Sequence, residues 1–243
     1  MRSTSKLKDW GKIKTAALGF HIGSGFAPLV SPPRSTVSLI DEYAIQDSFE
    51  YFKEHVASMA IFSKAHDLHK WLASSVLRDT ESGYFLEFGY YLGGSASLLA
   101  PALSGRTQNN TYYAFDSFFG LRDEWNQRNA FIGSFDLAGK PPTAPEGVEL
   151  IVGWVEDTLE PWLRDHPGRM AFAHFDMDVY PPTRYALERI HERFTPGSIV
   201  MFDEFHGYHG WREHEFRAFN EGFAPDSFKF VAIGPHQLVI SIT

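Results

Sequence analysis

The sequence predicts an α/β domain: a largely parallel sheet of seven strands with helices on both faces, a C-terminal antiparallel hairpin and an N-terminal helical lead-in. Three observations carry this expectation. Short apolar runs alternate with helical stretches from Tyr84 to Phe219, the pattern of strands joined by right-handed crossovers. The alternation stops where Phe228 to Ile233 and Gln237 to Ile242 flank Gly234-Pro235-His236, leaving no room for a helix, so these two runs form a hairpin. Aromatic residues make up 16% of 243 residues, enough to fill a large core.

The elements follow in order. Residues 1–46 mix Gly, Ser, Pro and Lys without a sustained period and read as an irregular N-terminal segment, with Pro32-Pro33 as a boundary. Residues 47–80 read as a helical lead-in. Phe49, Phe52, Val56, Met59 and Ala60 fall on one helical face, and Leu68, Trp71, Leu72 and Leu77 continue it in a second segment. Residues 81–243 form the main domain. Its parallel strands are expected at Tyr84–Phe88, Thr111–Asp116, Val148–Val152, Met170–Asp176 and Ser198–Asp203. Helices are expected at Ala96–Leu103, Asp157–Arg164, Thr183–Phe194 and Trp211–Phe219. The connection over residues 117–147 is far longer than a strand link needs. It carries Trp125, Phe131 and Phe135, and with Phe118 and Phe119 it reads as an apolar lid.

Composition excludes several classes. With no cysteine there is no disulfide framework, thiolate zinc site or cysteine nucleophile. A formal charge of −8, with Lys6, Lys8, Lys12 and Lys14 as the basic cluster, argues against a nucleic-acid scaffold. No apolar run reaches the roughly 18 residues of a membrane span. The expectation is a soluble, cytoplasmic protein whose partner is a small molecule, neither nucleic acid nor membrane, with a homo-oligomer left open.

Ligands of parallel α/β sheets bind outside the carboxyl ends of the strands, so the residues delivered there are the candidates. The first main strand gives Glu87-Phe88-Gly89-Tyr90-Tyr91-Leu92-Gly93-Gly94-Ser95 and then a helix. Such a turn lets backbone approach a ligand, and its spacing fits neither a dinucleotide fingerprint nor a triphosphate loop. Asp116, ending the next strand before Ser117, is placed to accept hydrogen bonds from both hydroxyls of a ribose. Asp176, Asp203 and Glu204 emerge from neighbouring strands. Three carboxylates at one edge repel unless a cation sits among them, and hard oxygen ligands suit Mg²⁺, Mn²⁺ or Ca²⁺.

The ordered set Leu86-Glu87-Phe88-Gly89, Gly93-Gly94-Ser95, Phe115-Asp116-Ser117-Phe118, Gly153-Trp154 with Asp157, Asp176-Met177-Asp178-Val179-Tyr180 and Phe202-Asp203-Glu204-Phe205 resembles the macrocin O-methyltransferase-like family over roughly residues 83–220. These are class I S-adenosylmethionine-dependent methyltransferases. The resemblance implies a Rossmann-like methyltransferase sheet, an S-adenosylmethionine pocket and a divalent cation, Mg²⁺ or another hard ion, that binds acceptor hydroxyls, often those of a natural-product sugar. It implies a cofactor pocket drawn from Glu87, Gly89, Tyr90, Gly93, Ser95, Asp116, Ser117, Trp154 and Asp157, and Asp176, Asp203 and Glu204 as metal ligands. Phe119 stands where the family often has an acid, and Glu204 where a second aspartate is common.

The expected chemistry is methyl transfer to a hydroxyl polarised by the cation, with Asp176 ranked first as base and His206 or His174 as alternatives. A hydroxylase-linked relative of the fold and a cofactor-binding protein without turnover are the competing expectations.

Overall fold

The computed structural model describes residues 35–104, 110–125 and 130–243; the expectations for the first 34 residues, Pro32-Pro33 and the lysine cluster included, lie outside them. Residues 37–243 make up one unit. In chain order it contains α1 (Thr36–Phe52), β1 (Ala60–Ile61), α2 (Ala65–Ser75), β2 (Tyr84–Phe88), α3 (Gly94–Leu99), β3 (Tyr112–Asp116), β4 (Val148–Val152), α4 (Val155–Asp165), β5 (Met170–Phe175), α5 (Tyr180–Ile190), β6 (Phe194–Phe202), α6 (Glu215–Gly222), β7 (Phe228–Ile233) and β8 (Leu238–Ile242), with short 3₁₀ turns between some of them.

The strands form one eight-stranded sheet in the order β1-β7-β8-β6-β5-β2-β3-β4. From β4 to β6 all pairings are parallel, and β8 runs antiparallel to both β6 and β7. The fold is therefore the expected Rossmann-like α/β class with its terminal hairpin. The eighth strand is β1, two residues pairing in parallel with Ala232 and Ile233. Two residues carry no period, so Ala60 reads as a helical position in the sequence.

The lead-in also differs from expectation. Helix α1 begins at Thr36, inside the segment read as irregular, and ends at Phe52. Its buried line is Ala44, Ser48 and Phe52 at i, i+4, i+8, while Phe49 is 56% exposed. A small and a hydroxylated residue on that line leave no apolar signal. Val56 falls in a 3₁₀ turn. The second expected segment is α2, which buries Leu68 and Leu72.

Side chains alternate across the strands, so the two faces of the sheet have separate cores. One face carries Leu86, Phe88, Phe115, Ala173, Phe175, Val200 and Phe202. The other carries Phe85, Tyr112, Ala114, Phe172 and Met201 packed with Leu68 and Leu72 of α2 and Leu99 of α3. On the first face, register-paired Phe115, Phe88, Phe175 and Phe202 form a row across β3, β2, β5 and β6. Their ring centroids are 5.1, 5.3 and 5.1 Å apart and their planes lie within 27°. Each phenylalanine is the residue before Gly89, Asp116, Asp176 or Asp203. The row therefore brings four chemically distinctive residues to one level at the sheet edge.

Candidate active site

Backbone hydrogen bonds continue the ladder past the strand ends. Gly153 N–H donates to Asp116 O (2.9 Å), Gly89 N–H to Phe115 O (2.9 Å), Asp176 N–H to Phe88 O (2.8 Å) and Asp203 N–H to Phe175 O (3.0 Å). A side chain is excluded at Gly89: its φ is +94°, and a Cβ would fall 1.8 Å from the Asp176 carbonyl oxygen. Over this edge lies a cavity of about 930 Å³. Its wall includes Gly89, Asp116, Ser117, Trp154, Asp176 and Glu204 from the expected set.

Asp116 is committed to backbone: Oδ2 accepts from Tyr90 N–H (2.8 Å) and Tyr91 N–H (2.7 Å), and Oδ1 from Phe118 N–H (2.7 Å). It ties the glycine turn to the start of the long connection. Glu87 does not line the cavity. Fully buried beneath the turn, its Oε1 accepts from Ser95 Oγ and from His174 Nδ1 (3.1 Å), which pins the first turn of α3 to β2 and β5. Tyr90, Gly93 and Ser95 likewise support the turn from outside the cavity wall. Asp157 is exposed on α4, and the residues of that helix facing the cavity are Trp154, Val155 and Glu156.

Asp176, Asp203 and Glu204 are held differently. Burial and the charge of Asp203 push the Asp176 carboxyl well above the usual carboxylate range. Burial, the largest influence, acts to raise Asp203 too, but His174, His69 and Gln237 together outweigh it and hold Asp203 below its ordinary value. His174 lies between two carboxylates, with Nδ1 3.1 Å from Glu87 Oε1 and Nε2 3.5 Å from Asp203 Oδ1. Those two carboxylates raise it well above an ordinary histidine in spite of burial. Ligand atoms that could share an ion form two groups among the described residues, His69 with His174 and Asp203, and Glu87 with His174 and Asp176. Glu204 is in neither group; it lines the cavity, while its backbone N–H donates to Glu215 Oε2 (2.9 Å).

His206 is not on the cavity. It packs against Phe52 at 5.2 Å between ring centroids, and burial with the nearby His236 lowers its pKa to about 4. Residues that sequence reasoning missed complete the wall. Val37, Asp41 and Ile45 form an i, i+4, i+8 stripe of α1, and Asp178, buried with φ +65°, stands beside Asp176. The second aspartate of the Asp-x-Asp pattern was the available signal for Asp178. From the long connection, Trp125 and Phe135 line the cavity and Arg122 lies 3.6 Å over the Trp154 ring. Phe118 is buried, Phe119 stacks on Trp154, and Phe131 is 60% exposed.

Residues 86–205 match a family model described as a methyltransferase domain. A curated relative, the 8-demethyl-8-(2,3-dimethoxy-α-L-rhamnosyl)-tetracenomycin-C 4'-O-methyltransferase of Streptomyces olivaceus, is 26% identical over 172 residues. That match covers 62% of this chain and spans 63% of the relative's length, so more than a third of the relative has no counterpart in it. Among solved structures, the calicheamicin methyltransferase CalS11 superposes with a TM-score of 0.59 at 21% identity, covering 90% of this chain and 98% of that one. The O-methyltransferase NovP gives 0.54 at 19%, covering 73% and 79%. Sheet order and the two superpositions show the Rossmann-like α/β fold of these methyltransferases, and the matched domain spans 120 of the 243 residues. No helix among the described residues is long and apolar enough to cross a membrane.

Proposed function

We propose that the chain transfers the methyl group of S-adenosylmethionine to a hydroxyl of a small glycoside or similar polyol, assisted by a hard divalent cation. The observation that carries this reading is the convergence at one strand edge of the glycine turn, Asp116 at the end of β3, and the carboxylates of Asp176, Asp203 and Glu204.

On the cofactor side, Gly89 gives the ligand access to backbone, and Asp116 has lone-pair capacity beyond its three backbone bonds for a ribose hydroxyl. Trp154 offers an aromatic face for adenine, and Ser117 lines the same wall. The sulfonium is drawn to the carboxylates of the wall. Glu87, Tyr90, Gly93, Ser95 and Asp157 act by shaping the turn and the adjoining helix.

The donor chemistry suits a hard ion: Asp176 and Glu204 line the cavity, and Asp203, behind the wall, raises the Asp176 pKa by its charge, so that binding would have to draw the three carboxylates together. A hard ion held by these three would lower the pKa of an acceptor hydroxyl and fix its direction. Asp176, on the cavity wall, is the first candidate base. Asp178 is the second candidate base, a buried non-glycine residue held in the left-handed region on the cavity wall. His206, neutral and off the cavity, serves packing in this reading.

The acceptor belongs to a class without phosphate. The described wall carries the carboxylates of Asp41, Asp123, Glu156, Asp178 and Glu204, while its one arginine or lysine, Arg122, is paired with Glu156 at 3.5 Å. A sugar on a neutral aglycone meets no repulsion there.

The test is methyl transfer to a panel of glycosides, read by product mass and S-adenosylhomocysteine release, with and without chelator. Transfer is expected to need Mg²⁺, and Asp176→Asn or Glu204→Gln to lower kcat by about 10²-fold or more, as for loss of a group acting in the transition state. Calorimetric binding of S-adenosylhomocysteine is expected to persist in both variants. Undiminished transfer in the presence of chelator would overturn the metal-assisted reading.

A further inference from the structure

We infer that His69, His174 and Asp203 form a second cation site, distinct in chemistry from the hard-ion site and suited to Zn²⁺ or a similar borderline divalent ion. His69 comes from α2, His174 from β5 and Asp203 from the residue after β6. Their ligand atoms all lie within 4.8 Å of one another. Asp203 Oδ1 is 3.5 Å from His174 Nε2 and 3.8 Å from His69 Nε2. Two ligands bound at about 2.1 Å to one tetrahedral ion stand roughly 3.4 Å apart, so these spacings need only a small contraction.

The hydrogen bonds of the two rings point the same way. His69 Nδ1 lies 2.7 Å from the Ala65 carbonyl oxygen, which can only accept, so Nδ1 carries a proton and Nε2 is the ring atom turned toward Asp203 Oδ1. His174 Nδ1 is bonded to Glu87, leaving Nε2 to face the same oxygen. Neither Nε2 has a hydrogen-bond partner, and His69 and His174 are 5% and 0% exposed. Imidazole nitrogens whose other ring N–H is held by a carbonyl or carboxylate are the usual arrangement of metal-bound histidine.

Two imidazoles and one carboxylate select Zn²⁺, Co²⁺ or Fe²⁺ over Mg²⁺, which prefers oxygen. None of the three residues lines the cavity, so no acceptor reaches an ion held there. Its work is to tie α2 to the carboxyl ends of β5 and β6. The inference does not depend on methyl transfer, although Asp203 belongs to both donor sets.

The full chain, stripped with chelator, is titrated with Co²⁺ and followed by visible absorption. Wild type is expected to develop a saturable histidine-ligated Co²⁺ spectrum at one equivalent. His69→Ala is expected to lose it or to bind at least tenfold more weakly, and Glu204→Gln to retain it. X-ray absorption of the Zn²⁺-loaded wild type is expected to show imidazole scattering, a readout independent of how the variants fold. Absence of a saturable spectrum, the same spectrum in His69→Ala, or an all-oxygen Zn²⁺ shell overturns the site. Failure of Mg²⁺-dependent transfer with the Co²⁺ spectrum intact would instead remove the reading of the cavity and leave this one standing.

Discussion

At the scale of single residues, this chain uses titratable groups in two opposed ways. His174 is given charged partners that raise its pKa, whereas His206 is buried among Phe52 and neighbouring rings that lower it. An ordinary histidine titrates at 6.5 and His206 at about 4. At neutral pH the group is neutral in both the folded and unfolded chain and costs nothing. As pH falls below 6.5 the unfolded chain takes up a proton that the folded chain refuses, so stability drops with acidification until about pH 4. The full effect is roughly 3 kcal/mol at 1.36 kcal/mol per pH unit. Urea denaturation of wild type and His206→Asn between pH 7 and pH 4 checks this: the variant is expected to be less stable at pH 7 and to show the shallower acid dependence. Parallel pH profiles would mean that His206 titrates normally.

At the scale of elements, position on the sheet edge is set by packing beneath it. The row of Phe115, Phe88, Phe175 and Phe202 lies one residue below Asp116, Gly89, Asp176 and Asp203, so the aromatic excess of the composition serves register as well as core mass. Phe175 stacks with a neighbour on each side. Phe175→Ala is expected to cost about 3–5 kcal/mol, the range for emptying a buried phenylalanine site, with calorimetric unfolding as the check. Helix α1 is fastened to the opposite wall of the cavity. Gly207 N–H donates to Ser48 Oγ (2.9 Å), and Asp47 accepts from Trp211 Nε1 (3.0 Å) and from Arg212 Nε and Nη2 (2.9 and 3.0 Å). The Arg212 hydrogen bond holds the Asp47 carboxyl below its usual 3.8. A carboxylate with a lowered folded pKa stabilises fully above its unfolded value and loses that contribution as pH falls through the folded one. Asp47→Asn is therefore expected to cost about 1 kcal/mol at neutral pH, a value discounted for solvent screening, and to cost progressively less below about pH 4. Equilibrium urea curves at both ends of that range measure it; an unchanging difference would separate the loss from the charge on Asp47.

At the scale of the whole molecule, what was legible in the sequence is what local chemistry determines. The five parallel strands, the hairpin and the acids at the strand ends follow from period, turn residues and the rule that such sheets bind at their carboxyl edge. The sequence is silent where two distant elements meet. Nothing in the lead-in marks His69, since it lies between Leu68 and Trp71 on a segment read as core, and only folding brings it to His174 and Asp203. The α1 stripe of Val37, Asp41 and Ile45 mixes an acid with aliphatics and reads as no face at all until the cavity is present. Charge is the property that only the assembled molecule reveals. The overall −8 is concentrated in part on the described cavity wall, where Asp41, Asp123, Asp178 and Glu204 face the volume in which an acceptor must lie. Under the proposed function one cation from the cofactor and one divalent ion would offset part of that field, leaving little attraction for a diphosphate. A sugar carried on a neutral aglycone is therefore expected to exceed the same sugar carried on a nucleoside diphosphate by at least tenfold in kcat/KM at low salt, about 1.4 kcal/mol of discrimination. Because the repulsion acts through solvent, the ratio is expected to shrink as ionic strength rises past about 0.15 M, where the screening length falls to roughly 8 Å. Paired assays of the two acceptors across a salt series measure it. A preference for the nucleotide-linked sugar, or a ratio indifferent to salt, would show that the carboxylates are neutralised in the working enzyme and that the acceptor is chosen by shape alone.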